Sequence, residues 1–284
     1  MLVDLVEVTT SDNLSLDGAF FKPPNQLFTE GIIEAFLLIH GSGGRFYAPA
    51  TRTMATDLSQ AGYPCLAINT RGHDTVWVDN ATGISHGNAF EILDISKLDL
   101  RAGVDFLQTH GYHRIGLLGH SMGAVKVSYY AAFENDPRVQ VVIPISPVRL
   151  SYSYYMNSAD AEEFQNNLEL ADQMEADGRA LDLMKVNFPI TQFFSAASYL
   201  DKHGPGERYN LVDLGPRIHV PILALAGSLE THTRLVDMES DLVLSAVNSP
   251  SASYEIIKGG DHSLQNRKNE ASKAVLKWVT NLKS

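Results

Sequence analysis

The apolar positions of this chain fall into short continuous runs separated by segments with a helical period, and that alternation predicts a layered sheet. Ala35 to Ile39 (AFLLI), Pro64 to Ile68, Ile115 to Leu118, Val139 to Ile145 (VQVVIPI), Val220 to Ala226 and Tyr254 to Ile257 read as strands. Such uninterrupted apolar strands are buried on both faces, as in a parallel sheet. Leu2 to Val8 and Leu14 to Phe21 instead alternate, around the turn residues Ser11-Asp12-Asn13, and predict an antiparallel hairpin that supplies the edge strands. Helices are predicted over Pro49 to Ala61, Ile92 to Thr109, Ala124 to Phe133, Thr233 to Val247 and Ser263 to Leu282, with Thr75 to Asn88 left as loop. In the closing helix Ala274, Val275, Trp278, Val279 and Leu282 recur at three and four residues, so one face packs on the sheet. The fold class is α/β: a mostly parallel central sheet of about eight strands with helices on both faces.

The rhythm changes after Arg149. From Leu150 to Tyr209 no strand of comparable quality is present; the segment carries Tyr152, Tyr154 and Tyr155, an acidic helical run from Ser158 to Gly178, and the aromatic stretch Asn187 to Phe194. This predicts a helical cap inserted at 150–209 after the sixth strand, with residues 1–149 and 210–284 forming one core domain. The cap aromatics have two readings: packing onto the core, or walls of a substrate pocket. No internal repeat or low-complexity tract interrupts the pattern.

Charge narrows the partners. Against 33 Asp plus Glu there are 22 Lys plus Arg, a formal net charge of −11, which argues against nucleic acid or an anionic membrane surface. Cys65 is the single cysteine, so no internal disulfide and no multi-cysteine metal site can form, and its apolar run marks it as a buried strand residue. No run of about 18 apolar residues occurs. The first ten residues, with Asp4 and Glu7, lack the basic and apolar regions of a signal peptide. A soluble, cytoplasmic protein is the expectation.

The chemistry concentrates at Gly119-His120-Ser121-Met122-Gly123, between a predicted strand and a helix. G-x-S-x-G in that context is a nucleophile elbow: the serine sits in a strained turn, and the flanking glycines let strand and helix approach. The amino end of the helix adds unpaired N–H groups and partial positive charge, which stabilise an oxyanion. A serine hydroxyl needs a base, normally a histidine with pKa about 6.5. Of the ten histidines, His262 lies in the turn Gly259-Gly260-Asp261-His262 after the last strand, from which an imidazole reaches the sheet edge. His120 is expected to point away from Ser121, His40 to brace its glycine loop, and His73 to serve loop structure. The base needs an acid to hold its tautomer. Glu230 follows the strand ending at Ala226; Asp237 is the rival, and no acid directly follows the strand ending at Ile145. The backbone N–H groups of Met122 and of Ser42, in His40-Gly41-Ser42-Gly43-Gly44, are the candidate oxyanion donors.

With these motifs in place the chain resembles the serine hydrolases of the α/β-hydrolase superfamily over nearly its whole length. The resemblance rests on His40 to Gly44 after the third strand, Arg71-Gly72-His73 after the fourth, the elbow after the fifth, and Gly227 to Glu230 and His262 after the seventh and last. The order Ser121, Glu230, His262 is that superfamily's order of nucleophile, acid and base. Two departures stand out: a glutamate where aspartate is commoner, and Asp74 where a glycine is frequent. The resemblance implies hydrolysis of a small-molecule carboxylic ester, apolar or aromatic in view of the cap, through an acyl-enzyme, with neither cofactor nor metal. Amide, lactone, thioester, acyl-transfer and carbon–carbon chemistry on the same residues remain open, as does a receptor-like protein of low turnover.

Overall fold

The computed structural model describes residues 3–25, 31–230 and 238–282. Strands β1 (Asp4–Thr9), β2 (Ser15–Phe21) and β3 (Ala35–Ile39) come first, followed by α1 (Pro49–Gln60), β4 (Cys65–Ile68), β5 (Trp77–Val78), β6 (Ser85–His86), α2 (Ser96–Thr109), β7 (Ile115–His120), α3 (Met122–Phe133) and β8 (Val139–Ile145). Next are α4 (Tyr152–Met156), α5 (Ala161–Ala176), β9 (Leu183–Val186), β10 (Gln192–Ser195), α6 (Ala196–His203) and α7 (Leu211–Leu214). The chain ends with β11 (Ile222–Gly227), α8 (Met238–Ser245), β12 (Ala252–Ile257) and α9 (Lys268–Asn281).

Eight strands form one sheet in the order β1-β2-β4-β3-β7-β8-β11-β12. Both pairings of β2 are antiparallel, while the pairings from β4 across to β12 are parallel. The continuous apolar runs are the strands buried on both faces: every residue of β3, β4 and β11 is buried. On one face Met54, Ala55 and Leu58 of α1 join Ala271, Ala274, Val275 and Val279 of α9. On the other, Leu100, Val104 and Leu107 of α2 pack with Val125 and Val127 of α3 and Leu242 of α8. Alternate residues of a strand feed opposite clusters, Phe36 and Leu38 to one and Leu37 and Ile39 to the other, as the period-two geometry of a strand requires.

Three expectations need correction. Only β1 is an edge strand at the amino-terminal side; β2 lies inside, between β1 and β4, because Ala19, Phe20 and Phe21 are buried and cannot face solvent. The segment 75–88 is more than loop: β5 and β6 pair through Trp77 and His86, whose rings stack at 4.8 Å. The segment 150–209 is helical only in part, since β9 and β10 form an antiparallel hairpin. Leu183-Met184-Lys185-Val186 alternates exposed and buried positions, a strand period too short to stand out beside the long helix α5. This segment holds its own apolar cluster, in which Tyr155, Phe164, Leu168, Phe188, Phe194 and Tyr199 meet. Of the helix expected from Thr233 to Val247, residues 233–237 lie outside the described residues, and α8 covers Met238–Ser245. Among the described residues no helix is long and apolar enough to cross a membrane.

Candidate active site

Ser121 sits between β7 and α3 with φ 58° and ψ −119°, a conformation sparsely populated by any residue with a side chain. Holding it costs on the order of 1–3 kcal/mol, which the surrounding packing must offset. The Ser121 N–H donates to the Ile145 carbonyl at 2.8 Å, and its carbonyl accepts from the Ala124 N–H at 2.9 Å, so the strained residue is pinned at both ends. The flanking glycines are required by space: a Cβ at Gly119 would lie 2.1 Å from the Gly123 carbonyl oxygen. Gly119→Ala is therefore expected to leave little folded protein, read as soluble yield and loss of the cooperative melting transition, whereas Ser121→Gly should raise the melting temperature by relieving the positive φ.

Glu230 and His262, the candidate acid and base, stand on the loops that follow β11 and β12. Main-chain bonds sew these loops to one another: Ser228 N–H donates to the Ile257 carbonyl at 3.0 Å and Leu229 N–H to the Gly260 carbonyl at 2.9 Å. Glu230 and His262 meet across this seam, with His262 Nδ1 2.9 Å from Glu230 Oε2 and 3.1 Å from Oε1. The Glu230 side chain is 1 % exposed and the His262 ring 21 %. A carboxylate can only accept, so Nδ1 carries the proton and Nε2 is left as the basic nitrogen. Nε2 is buried and makes no hydrogen bond, including none to Ser121 Oγ, although both residues line the same cavity. Asp261 bonds instead to the Ser263 hydroxyl at 2.9 Å. Asp237 lies outside the described residues.

The glycine loop meets the elbow from the other side. A Cβ at Gly41 would be 2.8 Å from Ser121 Cβ, so the backbone here approaches the serine as closely as a chain can. Ser42 and Met122 both line the cavity with Ser121. As the first residue of α3, Met122 carries an N–H with no acceptor inside the helix. His40 braces this loop: its Nε2 accepts from the Thr70 N–H at 3.0 Å, which puts the ring proton on Nδ1, and Nδ1 donates to the Gly41 carbonyl at 2.7 Å. Asp74 has a structural task here: it accepts from His73 Nδ1 at 2.8 Å and pairs with Arg45, just past the glycine loop.

His120 has a partner that its place in the elbow did not announce. Its Nε2 bonds to the His262 main-chain carbonyl at 2.8 Å, and the two rings lie 5.0 Å apart, so the elbow itself supports the loop that carries His262. Nothing in the neighbouring residues signals this contact, because His262 comes from the far end of the chain.

The cavity of about 610 Å³ runs from Ser121 under the 150–209 segment, where Tyr155, Ile190, Phe193, Phe194 and His203 form its wall. The aromatics of this segment divide: Phe164 and Phe188 are packing residues outside the cavity wall, whereas Phe193 belongs to the wall, and Tyr155 and Phe194 belong to both. Burial, then the nearby ammonium groups of Lys126 and Lys202 respectively, pull the His40 and His203 imidazoles down to about 3. Both stay neutral in the folded protein while the unfolded chain takes up protons near pH 6.5, so their contribution is present above that pH and is lost as pH falls toward 3. Stability should fall by roughly 1 kcal/mol per pH unit for each such group below pH 6.5, and His203→Phe should flatten that slope in melting curves taken from pH 7 to 4. Among the described residues no group of three His, Cys, Asp or Glu side chains could hold a metal ion.

Residues 34–198 match the family described as alpha/beta hydrolase fold. No curated protein matches the chain. Among solved structures, Est1E from Butyrivibrio proteoclasticus superposes with a TM-score of 0.66 at 16 % identity, covering 97 % of each chain. The alpha/beta hydrolase GrgF from Penicillium sp. sh18 gives 0.72 at 19 % identity over 98 % of each. The Pyrococcus furiosus esterase Pf2001 gives 0.64 at 18 %, over 98 % of this chain and 92 % of that one. At these identities the likeness is one of fold. With the match to residues 34–198 it places the eight-stranded sheet and its elbow in a known architecture: the chain belongs to the alpha/beta hydrolase fold family.

Proposed function

We propose that this protein hydrolyses carboxylic esters of small molecules through an acyl-enzyme intermediate. The observation that carries the reading is the shared cavity of Ser121, held in a strained turn, and His262, whose Nδ1–H is directed at the buried carboxylate of Glu230. Ser121 Oγ attacks the ester carbonyl as His262 Nε2 takes its proton, and the N–H groups of Met122 and Ser42 receive the oxyanion. Collapse of the tetrahedral intermediate expels the alcohol, which takes the proton from His262 and leaves the acyl group on Ser121. Water, deprotonated by the same nitrogen, then attacks the acyl-serine, and the acid departs with Ser121 reprotonated. Glu230 holds the tautomer and stabilises the imidazolium.

Residues 150–209 serve as the cap over this site, and their aromatic wall favours an apolar or aromatic acyl group. Est1E has also been solved with ferulic acid bound, which lends the aromatic option support at the level of a shared fold. We place the enzyme in the cytoplasm.

Intact-mass analysis after treatment with a small fluorophosphonate, on wild type and Ser121→Ala, tests the nucleophile. Turnover of p-nitrophenyl esters from acetate to octanoate tests the reaction. A single adduct in wild type, none in the variant, and ester turnover are expected. An adduct without turnover would favour another acyl chemistry or a receptor-like role, and a folded wild type that takes no adduct would overturn the proposal.

A further inference from the structure

A second cluster of ionised groups lies behind the oxyanion loop, wholly inside the protein. Lys126 on α3, Glu91 after β6 and Lys202 on α6 have side chains 1 %, 1 % and 0 % exposed. Lys126 Nζ is 2.5 Å from Glu91 Oε1, and Lys202 Nζ is 3.5 Å from Oε2. Burial alone would raise the Glu91 pKa, but the two ammonium groups outweigh it and hold the carboxylate at about 2. Two cations thus share one carboxylate away from water, an arrangement that costs desolvation energy and is tolerated only with further hydrogen bonds.

Those bonds lead in two directions. Toward the elbow, Lys126 Nζ donates to Thr70 Oγ1 at 2.8 Å, and the Thr70 N–H donates to His40 Nε2, whose other nitrogen holds the Gly41 carbonyl. Toward the cap, Lys202 Nζ donates to the Asn88 carbonyl at 3.1 Å and to Ser198 Oγ at 3.2 Å, while Ser198 Oγ donates to the Glu91 carbonyl at 2.9 Å. The Ser195 N–H adds a bond to the Ala89 carbonyl at 2.6 Å. The Arg71-Gly72-His73 turn leaves room for this arrangement, because a Cβ at Gly72 would stand 2.1 Å from Glu91 Oε1.

We propose that Lys126, Glu91 and Lys202 are positioning residues that couple the seating of helix α6 to the geometry of the oxyanion loop, through Thr70 and His40. None of the three touches the reacting atoms; they act on where the Gly41–Ser42 backbone stands. The inference rests on the reading of Ser121 as nucleophile and Ser42 N–H as oxyanion donor. An oxyanion contact is made in the transition state, so a displaced loop lowers kcat with little change in KM.

The test combines steady-state kinetics on p-nitrophenyl acetate with hydrogen-exchange mass spectrometry of the peptide spanning residues 41–44, in wild type, Lys202→Met, Thr70→Val and Lys126→Met. Lys202→Met, although placed on the cap helix, should speed exchange in that peptide and lower kcat about tenfold with KM within about twofold. Thr70→Val removes the hydroxyl that receives the Lys126 ammonium, so adding Lys126→Met to it should cost less than about twofold more in kcat. A melting temperature that falls while kcat per folded molecule and exchange at 41–44 stay at wild-type values would overturn the coupling and leave a purely structural cluster. Should Lys126→Met fail to fold, Lys202→Met and Thr70→Val decide the matter between them. If wild type takes no fluorophosphonate adduct, the catalytic reading fails on its own, and the exchange measurement still reports the coupling.

Discussion

Ser121→Ala is expected to lower turnover of p-nitrophenyl esters by about 10⁴-fold or more while the melting curve stays near that of wild type. On the proposed mechanism the loss is large because alanine cannot form the acyl bond; what survives is the part of catalysis supplied by substrate binding and by the oxyanion donors, with bulk water as the nucleophile. The fold should survive because the side chain of Ser121 caps nothing: no side-chain hydrogen bond from it stabilises the start of α3. Alanine keeps the Cβ and inherits the same backbone strain, so neither packing nor conformational energy changes much. His262→Ala should match this loss, since the base is then gone, and its loop remains tied through the main-chain carbonyl that His120 holds. Steady-state rates, paired with fluorophosphonate labelling and thermal melting, read all of these at once. Ser121→Ala that retained more than a few per cent of wild-type turnover would place the chemistry elsewhere.

The second large effect is expected at Glu230. Glu230→Gln should cost about 10²–10⁴ in kcat, less than removal of the nucleophile or the base. The carboxylate accepts from His262 Nδ1 through both oxygens. A glutamine amide can turn its NH₂ toward the ring, which favours the tautomer with the proton on Nε2 and so silences the base. Because the Glu230 side chain is almost fully buried, the variant also removes the negative charge that stabilises the imidazolium where water cannot replace it. Asp237→Asn is expected to change kcat by less than about tenfold. Comparing the two variants under the same conditions checks the assignment, and a far larger loss from Asp237→Asn would transfer the acid role to that residue.

The elements that place this site were legible where pattern and chemistry agreed. Ala35 to Ile39 and Ile115 to Leu118 are continuous apolar runs, each ending in glycines, and each is a buried central strand with its loop at the cavity. The short hairpin β9–β10 was hidden because four-residue strands carry almost no periodicity, and their burial comes from packing beneath α5 and α6. Lys126 was visible as a lone charge in an apolar helix. Its meaning was not, because Glu91 and Lys202 reach it only once the 88–91 segment and α6 have folded over the sheet. The His120 contact was hidden for a related reason: adjacency in sequence says nothing about the His262 carbonyl, which arrives from the far end of the chain.

By itself the sequence determined the α/β class, the strand-turn-helix around Ser121, and the order of the candidate residues Ser121, Glu230 and His262. These depend on local periodicity and on glycines that a tight turn demands, both of which are written in neighbouring residues. Tertiary structure alone decided that β2 lies inside the sheet, that Glu230 rests on His262 Nδ1, that the aromatics of residues 150–209 divide between packing and cavity wall, and that three buried charges meet beside Thr70 and His40. Each of these is a contact between segments distant along the chain: the apolar ones gain from excluding water, the buried polar ones must offset the desolvation of both partners, and no local pattern encodes either.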